Sequence, residues 1–382
     1  MVAAPDFAYR PEPAVARLLD ERLTRDLSTP YAIKSAQEVS GLLDAFFATE
    51  RPGVVASDVA RLGGGSSKEQ FLFTLTDGQG VPTRYVLRMD PALSALETDR
   101  RREFEMIAAM QGHVPVAPPA WLDADGERFG QPSAIFAFVG GVTRPSDFNA
   151  EYSTIMGPSL GERLRSKLAD QYVETLARIH GFDWRSANLP SFSAPLADPK
   201  QAARWQVDWW TRVWRDDDMV HLPLRAAVEN WLRANLPDCT DPVVVHGDYR
   251  SGNYLFDDAS GDFVAILDWE LCHLGDFHED LGMATPAVFG ARDPDGVFRA
   301  GGLLTRDELI ARYEQASGRT VDPRALHFYE VLACYKCAAI CGAAAPKAVQ
   351  AMQNHQEIQQ TAIAMFTPIF LSEMARLIEK AV

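Results

Sequence analysis

The 382-residue chain is long enough for two lobes with sizeable cores, and its 47% hydrophobic and 23% charged content is ordinary for a globular protein. A formal net charge of −15 argues against a nucleic-acid-binding face, which would show a basic patch. The first ten residues lack the apolar segment of a signal peptide and no run approaches 18 apolar residues, so the expectation is a cytoplasmic protein that engages neither nucleic acid nor membrane.

In chain order, a mildly helical pattern around Val39 to Phe47 comes first and carries little chemistry. Short strands are then predicted at Val59 to Leu62, Phe71 to Leu75 and Tyr85 to Arg88. Gly63, Gly64, Gly65, Ser66 and Ser67 form a turn between the first two. Such a turn lets backbone N–H groups approach phosphates and adds hydroxyl donors, although a plain structural hairpin uses the same residues. Arg88 ends the third strand with a cation, and a helix from about Ser94 to Met110 carries Phe104 and Ile107 at core spacing. Glu103 lies beside them, with Glu97 and Glu105 close by. Ala134 to Val139 reads as a buried strand running into a glycine hinge at Gly140-Gly141, which divides the chain into residues 1–141 and 142–382.

The second part is mostly helical. Leu164, Leu168, Tyr172, Leu176 and Ile179 form one stripe of a helix over 162–180, with His180 as a core or capping residue. Trp205, Trp209, Trp210 and Trp214 are spaced for one side of another helix, where they either line a pocket or fill a core. Cys334, Cys337 and Cys341 share a helix face, which favours packing over a metal cluster because no fourth ligand is evident. An odd count of five cysteines is consistent with reduced thiols.

The segment from 243 to 281 carries the chemistry. Val243 to Val245 is predicted as a buried strand entering His246-Gly247-Asp248-Tyr249-Arg250-Ser251-Gly252-Asn253, and a hairpin follows, with strands 254–256 and 263–267. That hairpin brings Asn253 and Asp268 together at its open end. The kinase catalytic loop reads H-R-D-x-x-x-x-N, with a metal-binding Asp downstream. Here Gly247 replaces the Arg while the Asp-to-Asn spacing of five is kept. Phosphoryl transfer needs an aligned nucleophile and neutralised phosphate charge more than covalent help. Asp248 suits the role of accepting a hydroxyl proton, and the oxygens of Asn253 and Asp268 suit Mg²⁺.

Together with the tail Gly275-Asp276…Asp280-Leu281, this segment resembles the aminoglycoside phosphotransferases and their choline-kinase-like relatives. The Asp-Tyr-Arg variant resembles the kinase-like domains associated with acyl-CoA dehydrogenases. The resemblance covers roughly residues 55 to 350. It implies a two-lobed α+β protein-kinase-like fold, with a small antiparallel-sheet lobe for nucleotide and a larger helical lobe holding catalytic loop and acceptor. It further implies ATP and Mg²⁺ as cofactors and a small-molecule hydroxyl as phosphoryl acceptor. Arg88, standing where kinases carry Lys, would pair with Glu103 and hold phosphates with the 63–67 turn. Backbone groups near Phe138 would receive the adenine, and Asp280 would brace the catalytic loop. Two other readings stay open: a nucleotide-binding module without catalysis, and a metal-dependent hydrolase built on His246, Asp248, His273 and His278.

Overall fold

A computed structural model describes residues 9–24, 33–63, 68–91, 96–146, 148–154, 156–217, 222–350 and 357–379. The chain opens with α1 (Pro13–Thr24) and α2 (Ala36–Glu50), then β1 (Val55–Arg61), β2 (Glu69–Thr76) and β3 (Pro82–Met89). Next come α3 (Arg100–Met110), β4 (Pro119–Asp123) and β5 (Ser133–Ala137). The five strands form one antiparallel sheet in the order β1-β2-β3-β5-β4. Along β2, Phe71, Phe73 and Leu75 are buried while their neighbours are not, the period-two pattern of a sheet with one covered face. The cover is α2, whose Val39, Leu43, Phe46 and Phe47 pack on that face. Ser35 starts α2 with a reciprocal capping box to Glu38, which satisfies amides at the helix N-terminus.

The remaining chain is mainly helical: α4 (Gly161–His180), α5 (Gln201–Asp217) and α6 (Pro223–Ala234) lead into short strands β6 (Val243–Val245), β7 (Tyr254–Phe256), β8 (Phe263–Ile266) and β9 (His273–Gly275). There follow α7 (His278–Met283), β10 (Ala291–Arg292), β11 (Phe298–Arg299), α8 (Arg306–Ser317), α9 (Pro323–Gln350), α10 (Glu357–Ala364) and α11 (Thr367–Glu379). The predicted stripe of α4 is wholly buried. It forms the core under the short strands, and α9 runs through a second core against α5, α7 and α11. The two-lobed α+β arrangement expected from the sequence is the one observed.

Several boundaries differ from expectation. The helix expected from Ser94 starts at Arg100, because Asp99 caps it by accepting from the Arg101 amide. The strand expected up to Val139 ends at Ala137. α1 was not anticipated: Val15 and Leu19 join the core around α5 and α9, and Glu12, just before the helix, holds Arg102 of α3 through two contacts of 2.8 and 2.7 Å. Thr361–Glu379 is long and apolar enough to cross a membrane by composition, with mean hydropathy 1.3, but a turn at Met365-Phe366 splits it into α10 and α11.

Phe47 is 1% exposed and contacts Phe46, Phe73 and Trp121. Phe47→Ala is expected to cost about 3–5 kcal/mol, read as a lower midpoint in urea unfolding.

Candidate active site

β6 is buried along its length and pairs antiparallel with β9, which places His246 at a fully enclosed strand end. Gly247 follows with φ +83°, and a Cβ there would stand 2.6 Å from the Leu271 carbonyl oxygen. Only glycine fits that close approach, so no arginine could occupy this position without moving the backbone. His246 Nε2–H donates to the Leu267 carbonyl at 2.8 Å, and its Nδ1 accepts from the Asp248 amide at 3.2 Å. Burial lowers its pKa, overriding the carboxylates nearby, so the ring is neutral and serves as a two-sided strut.

Asp280, in α7, accepts from the amides of both His246 and Gly247 at 2.8 Å and takes a 3.1 Å contact from His180. The expected brace is therefore present. Burial alone would raise the Asp280 carboxyl, but the hydrogen bonds from His180 and the His246 amide oppose it, and it is held below its usual range. Lys336 of α9 adds a third tie, donating to the Gly247 carbonyl at 2.6 Å.

Beyond the glycine, the Asp248 carboxylate turns into the cleft. Its Oδ1 accepts from Arg250 Nε at 2.8 Å and its Oδ2 from Asn253 Nδ2 at 2.6 Å. Asn253 Nδ2 also donates to the Asp248 carbonyl at 2.9 Å, which turns the amide oxygen of Asn253 away from Asp248. The Leu267 amide donates to the Asn253 carbonyl at 2.8 Å and closes the open end of the β7–β8 hairpin, so Asn253 and Asp268 come together at that end as predicted. Asp268 has φ +56°, rare for a residue with a side chain, and its side chain is 39% exposed to the cleft. A neutral amide oxygen beside a solvent-facing carboxylate is a hard donor pair that fits Mg²⁺ completed by phosphate and water.

Arg88 joins the two halves of the molecule. Its Nη1 donates to Glu103 Oε1 at 2.7 Å and its Nη2 to Asp268 Oδ1 at 2.9 Å. Burial opposes the Arg88 charge, yet Glu103 and Asp268 more than restore it, and its pKa is raised. Glu103 is thus the partner; its rival Glu105 holds Ser191 instead. Arg100 lies between Glu103 and Asp90, and Lys68 contacts Asp90 at 3.1 Å and Glu270 at 3.6 Å. Sequence reasoning passed over Lys68, whose only signal is its position after the glycine turn. Gly63 lies two residues beyond β1, whereas Gly64, Gly65, Ser66 and Ser67 lie outside the described residues. The Phe138 amide donates to the Arg84 carbonyl at 2.9 Å and the Arg84 guanidinium covers the Phe138 ring at 4.0 Å, so that amide is committed to the end of the β3–β5 pairing.

A cavity of about 130 Å³ opens beside Asp248, with Met156, Met283, Phe289, Ile340 and Phe370 among its apolar walls. None of these was singled out in the sequence, because they come from separate segments and are individually unremarkable. Three of the four tryptophans take the core role: Trp209, Trp210 and Trp214 are buried against α9, Trp214 Nε1 donates to the Tyr335 carbonyl at 3.0 Å, and Trp205 is half-buried. Cys337 and Cys341 line the cavity as free, buried thiols; burial raises both, Cys341 to about 12.

The hydrolase arrangement is not assembled. His273 bonds Glu279 at 3.1 Å and His278 bonds Asp276 at 2.6 Å, each away from Asp248. Among the described residues no group of three or more His, Cys, Asp or Glu could hold a metal ion.

Residues 58–329 match the family model described as the phosphotransferase enzyme family. The chain belongs to that family. Acyl-CoA dehydrogenase family member 11 of Gallus gallus is 28% identical over 286 residues, covering 69% of this chain and 35% of that protein. Acyl-CoA dehydrogenase family member 10 of Mus musculus is 28% identical over 256 residues, covering 61% of this chain and 23% of that protein. The chain therefore spans about a third or less of the length of these relatives. Among solved structures, a Ralstonia eutropha JMP134 protein assigned to the aminoglycoside phosphotransferases superposes with TM-score 0.64 at 22% identity, covering 89% of this chain and 98% of that one. A macrolide 2'-phosphotransferase type I superposes with TM-score 0.55 at 20% identity, covering 87% and 98%. The fold is thus the kinase-like one of the aminoglycoside and macrolide phosphotransferases.

Asp280→Ala is expected to destabilise the protein by about 3 kcal/mol or more, because buried donors lose their acceptor at roughly 1–3 kcal/mol each. A carboxyl held low in the folded state stabilises above its ordinary value of about 3.9 and loses that effect as pH falls through its folded value. Asp280→Asn should therefore flatten the acid side of a plot of Tm against pH.

Proposed function

We propose that this phosphotransferase moves the γ-phosphoryl group of ATP, with Mg²⁺, to a hydroxyl of a small molecule. The observation that carries the reading is the convergence of Asp248, Asn253, Asp268 and the Arg88–Glu103 pair on one cleft. In this reading residues 1–141 contain the nucleotide-binding small lobe, and residues 142–382 the catalytic loop and acceptor site. Asp248 hydrogen-bonds the acceptor hydroxyl, aligns it with the phosphorus and takes its proton late in the transfer. Asn253 and Asp268 would hold the metal, which would offset the charge of the phosphates. Arg88 exchanges Asp268 for phosphate while Glu103 keeps its guanidinium aimed. Gly63 to Ser67 cover the phosphates, and backbone groups beside Phe138 receive the adenine. A solved relative by fold, the aminoglycoside phosphotransferase APH(4)-Ia, has been captured with AMP-PNP and hygromycin B at TM-score 0.52, in keeping with nucleotide use.

The cavity beside Asp248 favours a hydroxyl carried on a largely apolar chain over a polycationic sugar. An acyl chain bearing a hydroxyl meets that description, and acyl-CoA dehydrogenase stands in the names of the relatives.

Asp248→Ala is expected to lower acceptor-dependent ADP release by about 10²–10⁴-fold while leaving Mg-ATP thermal stabilisation intact. Unchanged turnover would overturn the assignment. Asp268→Ala should instead abolish the Mg²⁺ dependence of that stabilisation. Ile340→Trp, which fills the cavity, should raise KM for apolar hydroxyl acceptors and leave KM for ATP unchanged in the same coupled assay.

A further inference from the structure

Two cations line the apolar cavity beside Asp248, and they are used differently. Lys336 is 2% exposed and committed to the Gly247 carbonyl and, at 3.3 Å, to Glu279. Arg250 spends Nε on Asp248 at 2.8 Å and Nη1 on the Ser251 carbonyl at 3.2 Å. No acceptor among the described residues meets its Nη2, and its side chain is 15% exposed. Its position is built rather than incidental. The Phe289 ring supports the guanidinium from 4.7 Å. Gly252, at φ +100°, makes room for it, since a Cβ there would stand 3.3 Å from Nη1. Tyr249 between them is buried and exchanges hydrogen bonds of 2.9 Å with Tyr172, which leaves Asp248 and Arg250 facing the cavity from either side of it.

We propose that Arg250 is a second catalytic residue, placing its outer guanidinium edge on the phosphoryl group in transit. The inference rests on the phosphotransfer reading above. A hydroxyl held by Asp248 lies one hydrogen bond from the carboxylate that Arg250 also grips. The oxygens of the phosphorus it attacks then come within reach of Nη2. As the bond from the hydroxyl oxygen to phosphorus forms, the bond to the departing ADP oxygen breaks and the hydroxyl proton passes to Asp248. Arg250 exchanges no proton. It stays charged at every working pH and stabilises the charge spread over the equatorial oxygens, in the manner of an arginine supplied in cis. Arg88 stands on β3 and is assigned above to the nucleotide phosphates, whereas Arg250 lies beside Asp248 in the acceptor cavity.

The test reads Mg-dependent ADP release with water as acceptor, in the full chain, for wild type, R250M, R250K, D248N and the double variant D248N/R250M. R250M should lower kcat by about 10²–10³-fold, as the loss of one charge-stabilising donor does, with KM for ATP unchanged. R250K should recover part of the loss, and equal Mg-ATP thermal shifts for wild type, R250M and R250K would show that fold and nucleotide binding survive. A cation acting on the phosphoryl group itself must also matter when the base is gone, so R250M should slow D248N by a further tenfold or more. No further loss in the D248N background would confine Arg250 to holding Asp248 and overturn the proposal. So would an unchanged kcat in R250M, or loss of the thermal shift in both Arg250 variants. Wild type with no turnover at all would overturn the phosphotransfer reading too, whereas turnover indifferent to Arg250 would leave that reading standing.

Discussion

A chain of buried charge crosses the cleft, and the arrangement of the two lobes depends on it. Arg88 on β3, Asp90 just after it and Lys68 just before β2 lie on the sheet side, Arg100 and Glu103 on α3, while Asp268 and Glu270 follow β8. Taking such groups out of water is expensive, so each is tolerable only with its partner in place, and removal of one strands the next. Formally, three cations (Lys68, Arg88, Arg100) face four carboxylates (Asp90, Glu103, Asp268, Glu270). Asp268, its side chain 39% exposed, is the member of the chain that reaches solvent in the cleft.

The catalytic loop has a different kind of support. Strands of three or four residues have little stability of their own, and β6 to β9 are of that length. The loop they carry is held by polar groups in places water cannot reach: neutral His246 between two backbone groups, Asp280 under two amides, Lys336 on a carbonyl. Each of these is costly to leave unpaired, which restricts Asp248 to one orientation. The rigidity serves the proposed chemistry, since in-line transfer loses rate steeply with small displacements.

Much of this was legible in the residues. The stripe of α4 and the hairpin that joins Asn253 to Asp268 follow from short-range spacing and emerge as expected, and the pairing of Arg88 with Glu103, which the family resemblance implied, is present too. Less was legible where similar patterns serve different ends. The tryptophans of α5 have the spacing of either a pocket or a core, and only the neighbouring α9 makes them a core. His273 and His278 are near enough in sequence to suggest a metal cluster, but β9 and the first turn of α7 direct them to Glu279 and Asp276. α1 gave no chemical signal, yet the segment around it clamps α3 through Glu12 and Arg102.

By itself the sequence determined the type of chemistry, because the spacing from Asp248 to Asn253 and on to Asp268 is local and survives any packing of the rest. Gly247 is explained only in part locally, by its φ of +83°; the Leu271 carbonyl that leaves no room for a Cβ is brought there by the fold. The tertiary structure alone decided what stands opposite those groups. Met156, Phe289, Ile340 and Phe370 reach the cavity from four separate segments, and Arg250 comes to Asp248 only because Tyr249 is anchored in α4. Apolar contact is non-directional and leaves no spacing to read, so the shape of the acceptor side is a property of the assembled fold.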